Sequence, residues 1–141
     1  MPAADKLFKE TVARYSPVVR LKLGEIRQLV LQAALETHGV GEVLEALRWG
    51  QFSFLTAETG SGSTIRIDGR KEADMLAVYF HCQSGLISHF KELYPKSFTF
   101  EGERALLFNA HSILPTTKLK HCISLALTHH LRKKTLVKHE R

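Results

Sequence analysis

Apolar residues recur at helical spacing through the first third of the chain. Leu7, Phe8, Val12 and Tyr15 predict a helix from about Ala4 to Tyr15. Ser16 then has the character of an N-cap and Pro17 that of a first helical residue. Val19, Leu23, Ile26, Val30 and Ala33 draw one stripe along a second helix that runs to about His38 and stops at Gly39. Val43, Leu44 and Leu47 predict a third helix over Gly41 to Arg48, ending at Trp49-Gly50. The period then changes to two. Phe52 and Phe54 alternate with Gln51 and Ser53, and Ile65 and Ile67 alternate with Thr64, Arg66 and Asp68. A third strand is expected from Met75 to Cys82, followed by a helix from Gly85 to Tyr94 that Ser84 caps and Pro95 stops, with Leu86, Ile87, Phe90 and Leu93 inward. A hairpin around Glu101-Gly102-Glu103 joins strands at Phe98–Glu101 and Arg104–Phe108. One last helix begins at Pro115-Thr116-Thr117 and buries Leu119, Cys122, Ile123, Ala126, Leu127 and Leu131.

Short connections between these strands imply an α+β fold, a mostly antiparallel sheet of about five strands with helices packed on one face. Strand parity sorts the side chains. Leu76, Val78, Phe80 and Cys82 share the face that meets the helices, while Ala77, Tyr79 and His81 share the outer face with Arg66 of the neighbouring strand. The expected binding residues are therefore Arg66, Tyr79, His81, Gln83 and Ser84, bordered by Gln51 and the Trp49 ring. Arginine, imidazole and amide together suit a small anion or a planar polar ligand. The alternative is an ordinary solvated sheet face. Arg104 either lines this patch or anchors the last hairpin through a carboxylate.

Other chemistry finds less support. His81 and Cys82 are adjacent, so a strand sends them to opposite faces and they form no nucleophile–base pair. Cys82 and Cys122 both fall on expected core faces. The eight histidines include no i, i+4 helical pair and no ligand-spaced motif, so no dedicated metal site is expected. Gly60-Ser61-Gly62-Ser63 precedes a strand rather than a helix and reads as a hairpin turn, not a phosphate loop.

The net charge of +6 is unevenly spread. Residues 118–141 carry Lys118, Lys120, Arg132, Lys133, Lys134, Lys138 and Arg141 against Glu140, while the basic and acidic side chains before them balance. That pattern suits a helix C-terminus followed by a basic tail at 133–141. No aromatic residues interleave with these charges as nucleic-acid binding would favour. No apolar run reaches the roughly 18 residues that span a bilayer. Two cysteines form no disulfide framework, and the first residues lack a signal-peptide core. One cytoplasmic domain over residues 1–141 is expected, its 1–16 segment an N-terminal helix; a second copy paired through an open face or edge is compatible with this reading.

Several short runs carry a family resemblance: Leu47-Arg48-Trp49-Gly50-Gln51, Gly62-Ser63-Thr64-Ile65-Arg66, Tyr79-Phe80-His81-Cys82-Gln83-Ser84-Gly85-Leu86 and Phe100-Glu101-Gly102-Glu103-Arg104-Ala105, with Leu125-Ala126-Leu127-Thr128-His129-His130-Leu131 near the end. Together they resemble the YdhG-like family, small bacterial domains of unknown function. The resemblance spans about residues 20–132 and implies a frataxin-like α+β architecture. One branch of that family is described as iron chaperones that deliver iron for cluster or haem assembly. Iron would need an anionic, oxygen-rich surface. Here Asp5, Glu10, Glu25 and Glu36 on the first two helices are offset by Lys6, Lys9, Arg14, Arg20, Lys22 and Arg27. The expectation is a non-enzymatic module for a small polar or anionic ligand or a protein partner, with iron delivery as the alternative.

Overall fold

A computed structural model describes residues 2–72 and 74–140, with side chains given for residues 3–72 and 74–134. The outer part of the expected basic tail, including Lys138 and Arg141, lies outside these described side chains. The elements are α1 (Pro2–Val12), α2 (Pro17–Glu36), β1 (Leu44–Arg48), β2 (Gln51–Leu55), β3 (Ile65–Gly69), β4 (Met75–Tyr79), α3 (Leu86–Leu93), β5 (Thr99–Glu101), β6 (Ala105–Asn109), α4 (Thr116–Leu127) and α5 (His129–Glu140). The strands form a six-stranded sheet in the order β1-β2-β3-β4-β6-β5, every pair antiparallel. This is the expected α+β class with one strand more.

That strand replaces the helix expected at Gly41–Arg48. Leu47 pairs with Phe52 and Arg48 with Gln51, so the hairpin closes through Trp49 and Gly50. Both take positive φ, 57° and 74°. A two-residue turn with φ positive at both positions matches the right-handed twist of the strands it joins. Helical spacing predicts an inward stripe through Leu44 and Leu47. As strand residues they fall on opposite faces, and both remain more than two-fifths exposed at the sheet edge.

The helices cover one face of the sheet, and the core lies between. Phe52, Phe54, Ile65, Ile67, Leu76, Val78 and Leu106 of the strands meet Leu23, Ile26, Ile87, Phe90, Leu119 and Ile123 of the helices. Phe8 packs edge-on against Phe52 at 5.2 Å, and Phe80 against Phe90 at 5.0 Å. Two inward assignments need correction. Strand β4 ends at Tyr79, so Cys82 falls in the following turn and is exposed, whereas Cys122 is buried as expected. Leu93, in the last turn of α3, is 40% exposed. Arg27 is buried within α2. Its guanidinium forks onto Glu45 (2.6 and 3.2 Å), reaches Asp5 at 2.9 Å and lies over the rings of Phe8 and Phe52.

The single last helix expected after Pro115 is two helices, broken at Thr128. Neither glycine nor proline marks the break. The loop before β3 makes it by inserting between the helices. Ser63 N–H donates to the carbonyl of Ala126 (2.9 Å), and Ser61 Oγ donates to that of Leu127 (2.8 Å). The amides of His130 and Leu131 donate instead to the Ser61 carbonyl, at 2.8 and 3.2 Å. The loop thus supplies partners to both helix ends. Gly62 is required there, because an added Cβ would lie 2.4 Å from the Leu127 carbonyl.

Gly62→Ala should therefore destabilise the protein by about 2 kcal/mol, the cost of forcing an overpacked contact. Gly24→Ala, whose Cβ would sit 3.9 Å from Phe8, should stabilise it by about 0.5–1 kcal/mol through helix propensity. Equal effects of the two substitutions in urea denaturation would refute this assignment. Trp49→Asn should stabilise by about 1 kcal/mol in the same assay, since asparagine tolerates positive φ and the Trp49 ring, 89% exposed, has little packing to lose.

Candidate functional site

A recess of about 440 Å³ opens where β3 begins and β4 has ended. Three segments build it. The lead into β3 contributes Gly62, Ser63 and Thr64, with Arg66 on the strand itself. The turn between β4 and α3 contributes His81, Gln83 and Ser84. The first turn of α5 contributes His129, His130 and Lys133. Among the described residues, no carboxylate lines it. The helix break holds the third segment in place, because the amide of His130 is bonded to Ser61, next to Gly62.

The β4–α3 turn is tightly bonded. The backbone N–H of Gln83 donates to Nδ1 of His81 at 3.1 Å, which leaves Nε2 to carry the proton of the neutral ring. Ser84 Oγ donates to the His81 carbonyl at 2.6 Å and accepts from the N–H of Leu86 at 3.2 Å. Gly85, at φ 76°, holds the cap position of α3. The expected cap by Ser84 is thus displaced by one residue, with the serine still satisfying a first-turn amide.

Arg66 stands apart from the other arginines of the outer face. Its Nε is buried without a hydrogen-bond partner, and its guanidinium has no ion pair among the described residues. By contrast, Arg70 grips Glu101 with two bonds of 2.7 and 2.6 Å and donates to Tyr79 Oη at 3.2 Å. Arg104 lies over the Tyr79 ring, 5.6 Å from its centroid. These arginines help cover the outer face, where Ala77, Tyr79 and Ala105 are buried rather than open to solvent.

The expected site residues therefore divide. Arg66, His81, Gln83 and Ser84 line one recess. Tyr79 pairs with Arg66 across the strands but lines a different hollow, with Arg14, Tyr15, Asp68, Arg70, Lys71 and Glu72. That hollow is larger, about 630 Å³, yet both of its arginines are engaged: Tyr15 Oη donates to Asp68 at 2.5 Å, Arg14 donates to Tyr15 Oη at 2.8 Å, and Arg70 also reaches Glu72 at 3.5 Å. Gln51 is on the outer face beyond Ser53, which pairs with Arg66, and Trp49 sits at the hairpin tip farther away. Neither lines the recess. His129, His130 and Lys133 complete it although they lie more than sixty residues from Arg66 in sequence. The neighbouring histidines were visible in the sequence, but their fold partner was not.

Among the described residues, no group of three or more His, Cys, Asp or Glu side chains could hold a metal ion. Three of the four carboxylates of the first two helices have cation partners: Asp5 with Arg27, Glu25 with Lys22 and Glu36 with Lys120. No described helix is long and apolar enough to cross a membrane.

Burial shifts two groups of chemical interest. The Cys122 thiol is pushed up to about 12 by desolvation, so it is an inert core side chain near neutral pH. His129, only 8% exposed, is lowered from the ordinary 6.5, first by desolvation and then by Lys133, His130 and Arg132. Burial and the neighbouring cations disfavour the charged imidazole.

The architecture is that of an α+β protein with an antiparallel sheet covered by helices on one side. Among solved structures, it shares the fold of a DUF1801-family protein, YdhG, from Bacillus subtilis, with a TM-score of 0.67 over 92% of each chain and 18% sequence identity. The YdhG-like resemblance thus meets a YdhG-like fold. No protein-family model matches the chain, and no curated protein matches it.

The lowered His129 makes stability depend on pH. The unfolded state takes up this proton more readily than the folded state, so the contribution is complete above about 6.5 and lost as pH falls through the folded value. Urea midpoints should fall between about pH 7.5 and pH 5, and His129→Gln should flatten part of that decline. Parallel curves for the two proteins would contradict the assignment.

Proposed function

We propose that this protein is a binding module for a small anionic ligand, held in the recess between Arg66, His81 and Lys133. The observation that carries the reading is the unpaired Arg66 in a recess without carboxylates. A buried guanidinium N–H is costly without an acceptor, and an anion beside the Arg66 Nε would supply one. Lys133 adds a second positive charge from the first turn of α5. The His81 Nε2–H, the Gln83 amide and the hydroxyls of Ser63 and Thr64 provide neutral donors around the same space. Such a set binds and orients an anion; it contains no nucleophile paired with a base.

Electrostatics favours this recess over the larger hollow beside Tyr79. There Arg14 and Arg70 already face Asp68, Glu72 and Glu101, and a ligand held by either would have to break those pairs. A ligand in the Arg66 recess breaks no ion pair among the described residues.

Titration with sulfate, followed by NMR of the histidine rings, tests the reading. Saturable shifts of His81 and His129 are expected in the wild-type protein, with affinity reduced at least tenfold in Arg66→Ala and unchanged in Trp49→Asn. Shifts that persist undiminished in Arg66→Ala would place the anion elsewhere.

A further inference from the structure

Resting on the reading above, we propose that the recess takes an organic phosphate monoester, its phosphoryl group between Arg66 and Lys133 and its organic body lying toward the first turn of α3.

Size is the first argument. A volume of about 440 Å³ falls within the range of pockets for small organic molecules, about 300–1,000 Å³. A bare tetrahedral anion would leave most of it filled with water. The space also continues. A second hollow of about 210 Å³ adjoins it, sharing Ser84, His129 and Lys133, and extends along Gly85 and Leu86 to His89 and Arg132. Its lining is less densely donating. Arg132 spends its Nε on Thr128 Oγ1 (3.3 Å) and its Nη2 on the Leu125 carbonyl (2.5 Å), and Leu86 is apolar. Arg66 lines only the larger recess and Lys133 borders both hollows, so a phosphoryl group held by the two sits in the larger recess and the adjoining hollow leaves room for a body at the α3 end.

The direction of the donors is the second argument. They come from three separate segments: the start of β3, the β4–α3 turn and the first turn of α5. A planar carboxylate is best met by one fork in its own plane, as Glu101 is met by Arg70. A phosphoryl group offers three acceptor oxygens pointing apart and up to two negative charges. Donors on three walls, with two fixed cations, fit that acceptor better. Titration supports the same charge. His129 is disfavoured as a cation by its burial and by Lys133, His130 and Arg132 on its own helix, while Arg66 and His81 line the recess from the sheet side. A dianion among them reverses the local field, so binding should draw a proton onto the imidazole.

Calorimetry and histidine-ring NMR with four probes distinguish the outcomes. Ribose 5-phosphate and adenosine 5′-monophosphate should bind at least tenfold more tightly than inorganic phosphate or citrate. Lys133→Ala, an exposed substitution, should weaken both monoesters at least fivefold while leaving the circular dichroism spectrum unchanged. Binding should also strengthen as pH falls from about 8 to about 6.5, with net proton uptake. If citrate binds as tightly as the monoesters, the phosphoryl assignment is wrong although the anion site stands. If inorganic phosphate does, the organic body has no place. If none of the four probes shifts His81 or His129, the anion site itself fails.

Discussion

The insertion of residues 61–63 between α4 and α5 is the interaction on which the candidate site depends. In an unbroken helix the amides of His130 and Leu131 would bond to the carbonyls of Ala126 and Leu127. Here both carbonyls turn to Ser63 and Ser61, and both amides turn to the carbonyl of Ser61. Two ladder bonds are exchanged for four bonds to a loop more than sixty residues away in sequence. The exchange gives the carbonyls of Ala126 and Leu127 and the amides of His130 and Leu131 new partners, so the break forms without proline or glycine in the helix. It also fixes α5 against the start of β3, which brings His129, His130 and Lys133 into the recess that Arg66 lines. Gly62 is the steric condition for all of this, since no side chain fits between the loop and the Leu127 carbonyl.

Charge pairing separates scaffold from site. Arg27 is buried but doubly bonded to Glu45 and joined to Asp5, and it tethers α1 and α2 to the edge strand. Arg70 binds the β3–β4 connection to Glu101 on β5, spanning the outer face, and Arg104 stacks on the Tyr79 ring between them. These cations are consumed by the fold. Arg66 lies in the same cross-strand row as Tyr79, Ala105 and Glu101, yet takes no carboxylate. A paired arginine contributes to stability or at least offsets its own desolvation, whereas an unpaired one lowers stability unless something else binds it. The contrast within one row of one sheet gives Arg66 a different role from its neighbours.

Several parts of this picture were legible in the residues. The α2 stripe from Val19 to Ala33 is buried as its spacing indicates, and the alternation at Phe52–Phe54 and Ile65–Ile67 marks the inner sheet face. The parity of Leu76 and Val78 against Ala77 and Tyr79 is likewise observed. The misreading at Leu44–Arg48 arose because apolar residues three apart suit a helix as well as a short edge strand. The alternation there is too brief to decide, and the hairpin depends on a tryptophan in a conformation that favours asparagine or glycine. Cys82 was misplaced for a related reason: strand parity holds only while the strand lasts, and β4 stops at Tyr79. At the site, Arg66, His81, Gln83 and Ser84 were legible from one strand face and one turn.

Periodicity alone determined the α+β class, the inner and outer faces of the central strands, and the polar corner after β4. Those are local properties, set by the fixed geometry of helix and strand. Tertiary structure alone decided that Tyr79 and Arg104 serve the scaffold, that Gln51 and Trp49 lie away from the recess, and that the basic segment after Thr128 forms its second wall. Each of these depends on which distant groups satisfy one another's hydrogen bonds and charges. The Ser61 carbonyl, the Glu101 carboxylate and the unpaired Arg66 guanidinium acquire their meaning only when the chain has brought their partners, or left them without one.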